Sequence, residues 1–326
     1  MTMPLLSRRT LLGLGLAIAL IAPAGAESWP GAPIRLVVPF PPGGGTDIIA
    51  REVANEVSAL TKWNFVVDNK PGAGGNLGVD IAAKAAPTGY TLVIGQTSNL
   101  AINATLYKKL PYDPVKDLTP VSLVGRSALA IVVAASSPYH TLADVITAAK
   151  AHPGTLNVAT SGNGTVAHMS LELLQKDSGA RFTHIPYKGA SQGLLDVIGG
   201  SVQLYISSVP TLIGQIRTGQ LRALAVTSAD RVSDLPQVPT VAESGYKNFE
   251  AVVWFGILGP AHLPPQVVAD LNGAINKALQ SSAVRSNLGA QGVEVSGDTP
   301  AQFGAMVQSE VAKWRPVVKA SGAKID

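Results

Sequence analysis

The fold class of this chain is decided by residues 34–47, which read IRLVVPFPPGGGTD. The first five of these residues are apolar apart from Arg35, and such a run predicts a buried β-strand. The prolines and three consecutive glycines that follow predict a tight turn. Beyond the turn, apolar residues recur at helical spacing, at Ile49, Val53, Val57 and Leu60. A strand that leads through a short turn into an amphipathic helix near residues 47–60 is the first unit of an α/β fold.

The turn between this strand and helix has the composition of an anion-binding loop. Its three glycines leave backbone N–H groups uncovered, and Thr46 is expected to cap the helix that follows. The positive end of a helix with free amides suits a phosphate or a carboxylate. The loop matches neither G-x-G-x-x-G nor a nucleotide P-loop, which argues against a nucleotide. A βα turn with an N-cap and no ligand explains the same residues.

Similar loops recur along the chain. PGAGGN at residues 71–76 and TSGNGT at residues 160–165 each precede a predicted helix, and residues 97–99 (Thr-Ser-Asn) follow a predicted strand. Ligands of open α/β sheets bind beyond the carboxyl ends of the strands. Two lobes that each present such loops predict a cleft for a small molecule. Hydroxyls and amides in that cleft suit an anion held by hydrogen bonds and not by an arginine clamp.

Short apolar runs and amphipathic helices alternate along the rest of the chain, which predicts an α/β architecture with a largely parallel sheet. Further strands are expected near residues 65–67, 91–94, 129–133, 156–159, 183–185, 203–206, 223–226 and 254–258. Further helices are expected near residues 77–85, 142–151, 166–176, 193–198, 212–218, 266–280 and 300–319, the last interrupted by Pro316. We expect two lobes, one built from residues 27–125 and 228–326 and the other from residues 126–227.

Composition excludes several classes of protein. With 326 residues, 46% of them hydrophobic and 14% charged, the chain can build a core and is not of the disordered class. The absence of cysteine excludes disulfides, a thiol nucleophile, iron–sulfur clusters and cysteine-bound zinc. A net charge of only +4 and 5% aromatic residues argue against a nucleic-acid partner.

The first 26 residues have the pattern of an export signal. Arg8 and Arg9 form the charged start, an apolar run covers residues 11–21, and small residues at 24–26 predict cleavage after Ala26. The apolar run is too short to span a bilayer. Its start fits both a twin-arginine and a Sec signal. The mature chain is therefore expected in the periplasm and outside the membrane.

Catalytic and metal motifs are scarce. No G-x-S-x-G is present, and the two Ser-x-x-Lys matches, at residues 244–247 and 321–324, are attributed to chance. The five histidines are too scattered for a local metal site, and no H-E-x-x-H is present. His168 is more simply a histidine bonded to backbone than a catalytic base, and capping explains Asp47 as well as general-base chemistry does. We predict no enzyme, no metal and no cofactor.

Many short motifs occur in an order that resembles the extracytoplasmic receptors of tripartite tricarboxylate transporters, also called Bug-type receptors. The resemblance covers essentially the whole mature chain. The matching segments are residues 37–47 with Arg51, VVDNKPGAGGNLG at 66–78, PTGYTL at 87–92, LPYDP at 110–114, DLTPV at 117–121, residues 161–168, IPYKG at 185–189, Gly219, ALAVT at 223–227, and residues 236–240 with Glu243 and Gly245.

The resemblance implies a two-lobed, type II periplasmic-binding-protein fold. It also implies that backbone groups and ordered waters hold a ligand carboxylate in the cleft between the lobes. Carried onto this sequence, the resemblance assigns Phe40, Pro41, Gly43 and Gly44 to the site. These residues belong to the loop at residues 40–47, which we call the first loop, and its Thr46 and Asp47 are implied to orient water. The other implied site residues are Ser98 and Asn99 in the first lobe and Ser161, Gly162, Thr165, His168, Tyr187 and Ser207 in the second.

Two residues depart from the family pattern. Thr88 stands where relatives usually carry aspartate, which changes only the chemistry of a turn. Ser207 stands where many relatives carry an aspartate that could face an amine or hydroxyl of the ligand. We therefore expect a ligand whose far end is uncharged or carboxylated, not an amino acid.

The sequence thus predicts a monomeric periplasmic receptor that closes on a small carboxylate and delivers it to the permease subunits of a membrane transporter. Mono-, di- and tricarboxylates remain open as ligands, as do aromatic acids and neutral compounds such as amides or vitamins. A ligand-sensing partner of a membrane signalling protein and an exported hydrolase are the alternative functions. The hydrolase would need a nucleophile–base pair that the sequence does not show.

Overall fold

A computed structural model of the protein describes residues 1–2, 29–323 and 325, so that nearly all of the predicted export signal lies outside the described residues. The strands are β1 (Ile34–Val38), β2 (Phe65–Asn69), β3 (Thr91–Gln96), β4 (Leu118–Ala134), β5 (Asn157–Thr160), β6 (Thr183–Pro186), β7 (Leu204–Ser208), β8 (Leu221–Val226), β9 (Val252–Pro260) and β10 (Val293–Val295). The α-helices are α1 (Gly45–Thr61), α2 (Asn76–Ala83), α3 (Asn103–Leu106), α4 (Leu142–Ala151), α5 (Val166–Ser178), α6 (Ala190–Ile198), α7 (Val209–Arg217), α8 (Pro265–Gln280), α9 (Ser282–Gly289) and α10 (Pro300–Ser321).

The long strand β4 belongs to two sheets. The first has the order β2-β1-β3-β9-β4, with β10 also paired to β4, and the second has the order β4-β7-β5-β6, with β8 also paired to β4. β4 pairs with β9 as far as Ala128 and with β7 from Leu129. We call the first sheet with α1–α3 and α8–α10 the first lobe, and the second sheet with α4–α7 the second lobe.

The α/β class agrees with the prediction, but the expectation of a largely parallel sheet is wrong. β1, β2 and β3 pair in parallel, as do β5, β6 and β7. β9 is antiparallel to β3 and β4, and β7, β8 and β10 are antiparallel to β4. The reason is the path of the chain, because β4 leaves the first lobe and β9 returns to it alongside. The apolar pattern of one strand does not specify the direction of a distant partner.

The core follows the predicted apolar pattern. Every residue of β1 except Arg35 is buried, and Ile49, Val53 and Val57 of α1 are at most 1% exposed. Full burial of one such side chain contributes about 1.5–3 kcal/mol. These contacts hold α1 against β2 and α8 and so set the position of the turn that precedes it.

Some local features differ from the predictions. A π-helical turn (Ser98–Ile102), α3, α9 and β10 are absent from the predicted elements. The predicted break at Pro316 is wrong, because α10 continues through it to Ser321. Trp314 and Val318 lie on either side of this proline and are both 2% exposed, so packing holds the helix together there. Within the described residues, no helix is both long and apolar enough to cross a bilayer.

Candidate functional site

A small cavity of about 50 Å³, which we call the inner cavity, lies between the two lobes. It opens beyond the carboxyl ends of β1, β3, β5 and β7, and side chains from the crossing strands β4 and β9 complete its wall. The lining residues are Phe40, Pro41, Gly44, Gly45, Thr46, Gln96, Ser98, Leu129, Ser161, Thr165, Val166, Ala167, Ala190, Ser207, Ser208, Thr211 and Val253.

Four helices begin at the inner cavity. α1 begins after its N-cap Gly44, α5 after Thr165 and α7 after Ser208, and the first residue of α6 is Ala190. The first N–H groups of a helix have no partner inside the helix, and the helix dipole makes that end positive. The convergence of these ends from both lobes therefore favours an anion in the inner cavity.

The side chains of the inner cavity are hydroxyls and apolar groups. Seven serine and threonine residues line it, and among the described residues no lysine, arginine, histidine, aspartate or glutamate does. An anion here would be stabilised by N–H and O–H donors without a counter-ion. Within the described part of the chain, no group of three His, Asp or Glu side chains is placed to hold a metal ion.

The two lobes contact each other across the cleft. The Val166 N–H of the second lobe donates to Ser98 Oγ of the first at 3.3 Å, and the Gly45 N–H of the first lobe donates to Thr211 Oγ1 of the second at 3.1 Å. Ser191 Oγ also donates to the Pro42 carbonyl at 3.2 Å. Because these bonds join opposite walls of the cleft, the arrangement is a closed one.

Glycines permit this close approach. A Cβ on Gly45 would lie 2.6 Å from Ser208 Oγ, and a Cβ on Gly189 would lie 2.6 Å from the Cγ atom of Pro41 in the other lobe. Gly189 also has a φ of +151°, a conformation that side chains with a Cβ rarely adopt.

Asp47 lies behind the first loop and supports it. Its carboxylate accepts from the Gly43 N–H at 3.0 Å, from Asn69 Nδ2 at 2.9 Å and from Arg51, which also forms an ion pair with it at 2.9 Å. Burial would raise the pKa of Asp47, but the hydrogen bonds from these three groups and the charge of Arg51 lower it. The expected capping by Thr46 is wrong, because the helix begins at Gly45 and no side chain bonds to its cap position.

His168 supports the loop of the second lobe in a similar way. It is 8% exposed, and its Nδ1 accepts from the Gly164 N–H at 3.2 Å. Its ring stacks on that of His184 with the centroids 4.2 Å apart, and His184 Nε2 lies 2.7 Å from Thr160 Oγ1. Burial and the neighbouring His168 lower the pKa of His184 to about 4.

A larger cavity of about 560 Å³, which we call the outer chamber, adjoins the inner cavity and shares Phe40, Pro41 and Ser161 with it. Among the predicted site residues, eight line the inner cavity: Phe40, Pro41, Gly44, Thr46, Ser98, Ser161, Thr165 and Ser207. Gly162 and Tyr187 line the outer chamber. The remaining four, Gly43, Asp47, Asn99 and His168, line neither.

Asn99 has a structural role and lines neither cavity. It is fully buried, its Oδ1 accepts from the Gln96 N–H at 3.0 Å, and its carbonyl accepts from the Tyr112 hydroxyl at 2.6 Å. Asn99 therefore shapes the end of β3 from outside the inner cavity.

Sequence reasoning missed several lining residues. Ser208 lies two residues before Pro210, and Thr211 follows that proline directly. A serine followed two residues later by a proline is a signal for the start of a helix, and it could have identified both residues. Gln96 at the end of β3 directly precedes the Thr-Ser-Asn segment at residues 97–99. No sequence pattern could have identified Leu129 and Val253 as lining residues, because only the pairing of β4 with its neighbouring strands brings them to the cleft.

A sequence model described as "Tripartite tricarboxylate transporter family receptor" matches residues 49–323. The chain belongs to this receptor family. The protein BugT of Bordetella pertussis is 40% identical to it, over 97% of this chain and 98% of BugT.

Solved structures of the receptor family share the fold. R. palustris Rpa4515 with adipate has a TM-score of 0.88 and 35% identity, over 91% of this chain and all of that one. MatC (Rpa3494) from Rhodopseudomonas palustris with bound malate has a TM-score of 0.84 and 31% identity, over 89% of this chain and all of that one. The predicted two-lobed periplasmic-binding-protein fold and the resemblance to tricarboxylate-transporter receptors are thereby confirmed. Members of this family are solute-binding receptors.

Proposed function

We propose that this protein is a periplasmic receptor that binds a small carboxylate in the inner cavity and delivers it to the permease of a tripartite tricarboxylate-type transporter. The observation that carries the proposal is the convergence of four helix N-termini, from both lobes, on a hydroxyl-lined cavity. The adipate- and malate-bound relatives support a carboxylate as the ligand.

Binding is proposed to close the lobes. A ligand shifts an open–closed equilibrium only if it binds the closed state more tightly, which here requires contacts from both lobes at once. Thr46 and Ser98 would contact the ligand from the first lobe, and Ser161, Thr165 and Ser207 from the second. We place the lobe boundaries near residues 125 and 228. We propose as the hinge the nearby points where the chain passes between the sheets, at Ala128–Leu129 within β4 and just after β8.

The uncharged lining also limits the ligand. The described residues of the inner cavity include no aspartate or glutamate, so an ammonium group there would have no counter-charge. Ser207 provides a hydroxyl where an acidic residue could have faced an amine. We propose a plain carboxylate in preference to an amino acid.

Catalysis is not part of the proposal. Within the described residues, no hydroxyl of the inner cavity bonds to an imidazole or a carboxylate, which a serine or threonine nucleophile would need. The predicted export signal with cleavage after Ala26 supports a periplasmic location, and we propose that the receptor works as a monomer without a cofactor.

Thermal unfolding of residues 27–326 tests the proposal, after unfolding and refolding to remove any carried-over ligand. The panel contains mono-, di- and tricarboxylates with neutral and cationic controls, and each mixture is also assayed for turnover. A ligand at about 100 times its Kd stabilises by about 2.7 kcal/mol, which raises the Tm by several degrees. We expect a shift with one or more carboxylates, no shift with the cations and no turnover. No shift with any acid would contradict the proposal.

A further inference from the structure

We infer that the outer chamber holds the body of the ligand, and that this body is a single aromatic ring attached to the carboxylate. The inference rests on the proposed function, because it takes the inner cavity as the carboxylate site. It adds a second compartment and a chemical class of ligand.

The sizes of the two cavities lead to this division. The inner cavity of about 50 Å³ is about a third of the roughly 150 Å³ that holds one benzene ring, so it has room for only a few non-hydrogen atoms. That is the size of a carboxylate with the carbon that bears it. The outer chamber is about 560 Å³, and Phe40, Pro41 and Ser161 line both spaces. A larger ligand in the closed protein would therefore extend past Phe40 into the outer chamber.

The walls of the outer chamber are flat and largely apolar. Phe40, Tyr107 and Tyr187 contribute rings, and four prolines lie among the other lining residues. The Tyr187 hydroxyl donates to Asp196, which anchors the polar end of that side chain at the wall. Aromatic faces and edges favour a second ring over an alkyl chain of the same area.

Glycines keep this space open. Gly72, Gly74 and Gly75 in the first lobe and Gly162 in the second line it without side chains. A Cβ on Gly74 would lie 3.4 Å from the Asn163 carbonyl across the cleft, so the loops of the two lobes face each other closely at the mouth.

A second carboxylate is disfavoured in the outer chamber. Lys188 is the one charged side chain among its described lining residues, and this lysine is exposed. The rings of Phe40, Tyr107 and Tyr187 and the four prolines of the wall would remove water from an anion without replacing its hydrogen bonds. The outer chamber should therefore favour an aromatic monocarboxylate over an extended dicarboxylate.

Titration calorimetry with acetate, adipate and benzoate tests the inference. Asn163 lines the outer chamber but not the inner cavity, is exposed and makes no side-chain hydrogen bond to the described residues, so Asn163→Trp adds bulk at the outer chamber and leaves the lining of the inner cavity unchanged. Gln280→Trp, at the exposed end of α8, is the control. Asn163→Phe is the second variant if the tryptophan variant does not fold.

In the wild type, we expect benzoate to bind at least tenfold more tightly than acetate or adipate. Asn163→Trp should weaken benzoate at least tenfold and leave acetate within twofold, while Gln280→Trp changes neither. If benzoate binds no more tightly than acetate or adipate, or if Asn163→Trp weakens acetate and benzoate equally, the inference is overturned and the proposed function stands. If no carboxylate binds the refolded wild type, the proposed function itself fails.

Discussion

Asp47 and His168 hold equivalent positions in the two lobes. Each is the third residue of its helix, and each accepts the backbone N–H of a glycine four residues earlier, Gly43 at 3.0 Å and Gly164 at 3.2 Å. In both lobes this bond ties the loop to the helix from the side away from the inner cavity. The helix N-termini are thereby left to face the ligand site, although one lobe uses a carboxylate and the other an imidazole.

Asp47→Ala should weaken carboxylate binding about tenfold or more, because the Gly43 N–H, Asn69 and Arg51 lose their shared acceptor and the first loop loses its shape. The loss of buried hydrogen bonds should also lower the free energy of unfolding by about 1–3 kcal/mol, with the fold retained. Calorimetry and urea unfolding measure the two effects. Asp144→Ala is the control, since Asp144 is the third residue of α4 and accepts from the Thr141 N–H away from the cleft. Unchanged affinity in Asp47→Ala would show that loop shape does not depend on this carboxylate.

Gly189→Ala should oppose closure, because its Cβ would meet the rigid Pro41 ring of the other lobe. We expect carboxylate affinity to fall at least tenfold. Gly200→Ala is the matched control, since Gly200 also has a positive φ (+79°) but a Cβ added there would have no other atom within 4 Å. Both substitutions should destabilise by about 1 kcal/mol through backbone strain. Equal affinities in the two variants would count against the contact as a determinant of closure.

Thr211→Val keeps the side-chain shape and removes the acceptor of the Gly45 N–H, one of the bonds between the lobes. Ligand affinity should fall about fivefold to tenfold, corresponding to a net hydrogen bond of about 1 kcal/mol. Thr218→Val, just beyond the other end of α7, should leave affinity unchanged, because its hydroxyl bonds only within its own helix end. Calorimetry with the carboxylate found in the thermal panel provides the measurement, and equal effects of the two variants would rule out the bond between the lobes as the cause.

Stability should fall as the pH is lowered from about 6.5 towards 4 because of His184. Burial, together with the electrostatic effect of the neighbouring His168, depresses the pKa of His184 to about 4 in the folded state, below its ordinary value of 6.5. Between these values the unfolded chain binds the additional proton, so acid favours unfolding. With allowance for the partial exposure of His184, we expect a loss of about 1–2 kcal/mol between pH 7 and pH 5.

Urea unfolding of the wild type and of His184→Gln at both pH values measures this effect. The variant should lose most of the pH dependence, whereas His152→Gln, at an exposed position after α4, should keep it. A wild-type slope that persists in His184→Gln would assign the effect to other groups.

The order of strands and helices was predictable from sequence because it depends on local pattern. The strand at residues 34–38, its glycine turn and the helix after it follow from apolar periodicity and from the conformations that proline and glycine favour. The same local signals located the loops at residues 39–47, 97–99 and 160–165, which supply seven of the fourteen predicted residues to the inner cavity. The eighth, Ser207, was implied only by the family resemblance.

The roles of individual side chains at those loops were not predictable. Thr46 and Asp47 are adjacent in sequence, yet one lines the inner cavity and the other is bonded behind the loop to Asn69 and Arg51. The direction of each side chain depends on where α1 begins and on Asn69 of β2, which lies 22 residues after Asp47. A loop motif specifies neither of these.

By itself, the sequence determined which segments form strands, helices and anion-type loops, because neighbouring residues control backbone conformation and burial pattern. Only the tertiary structure decided the antiparallel crossing of β4 and β9, the meeting of Gly45 with Thr211, and the walls added by Leu129 and Val253. These contacts join residues far apart in the chain. They depend on how two separately built lobes pack against each other, which no local periodicity encodes.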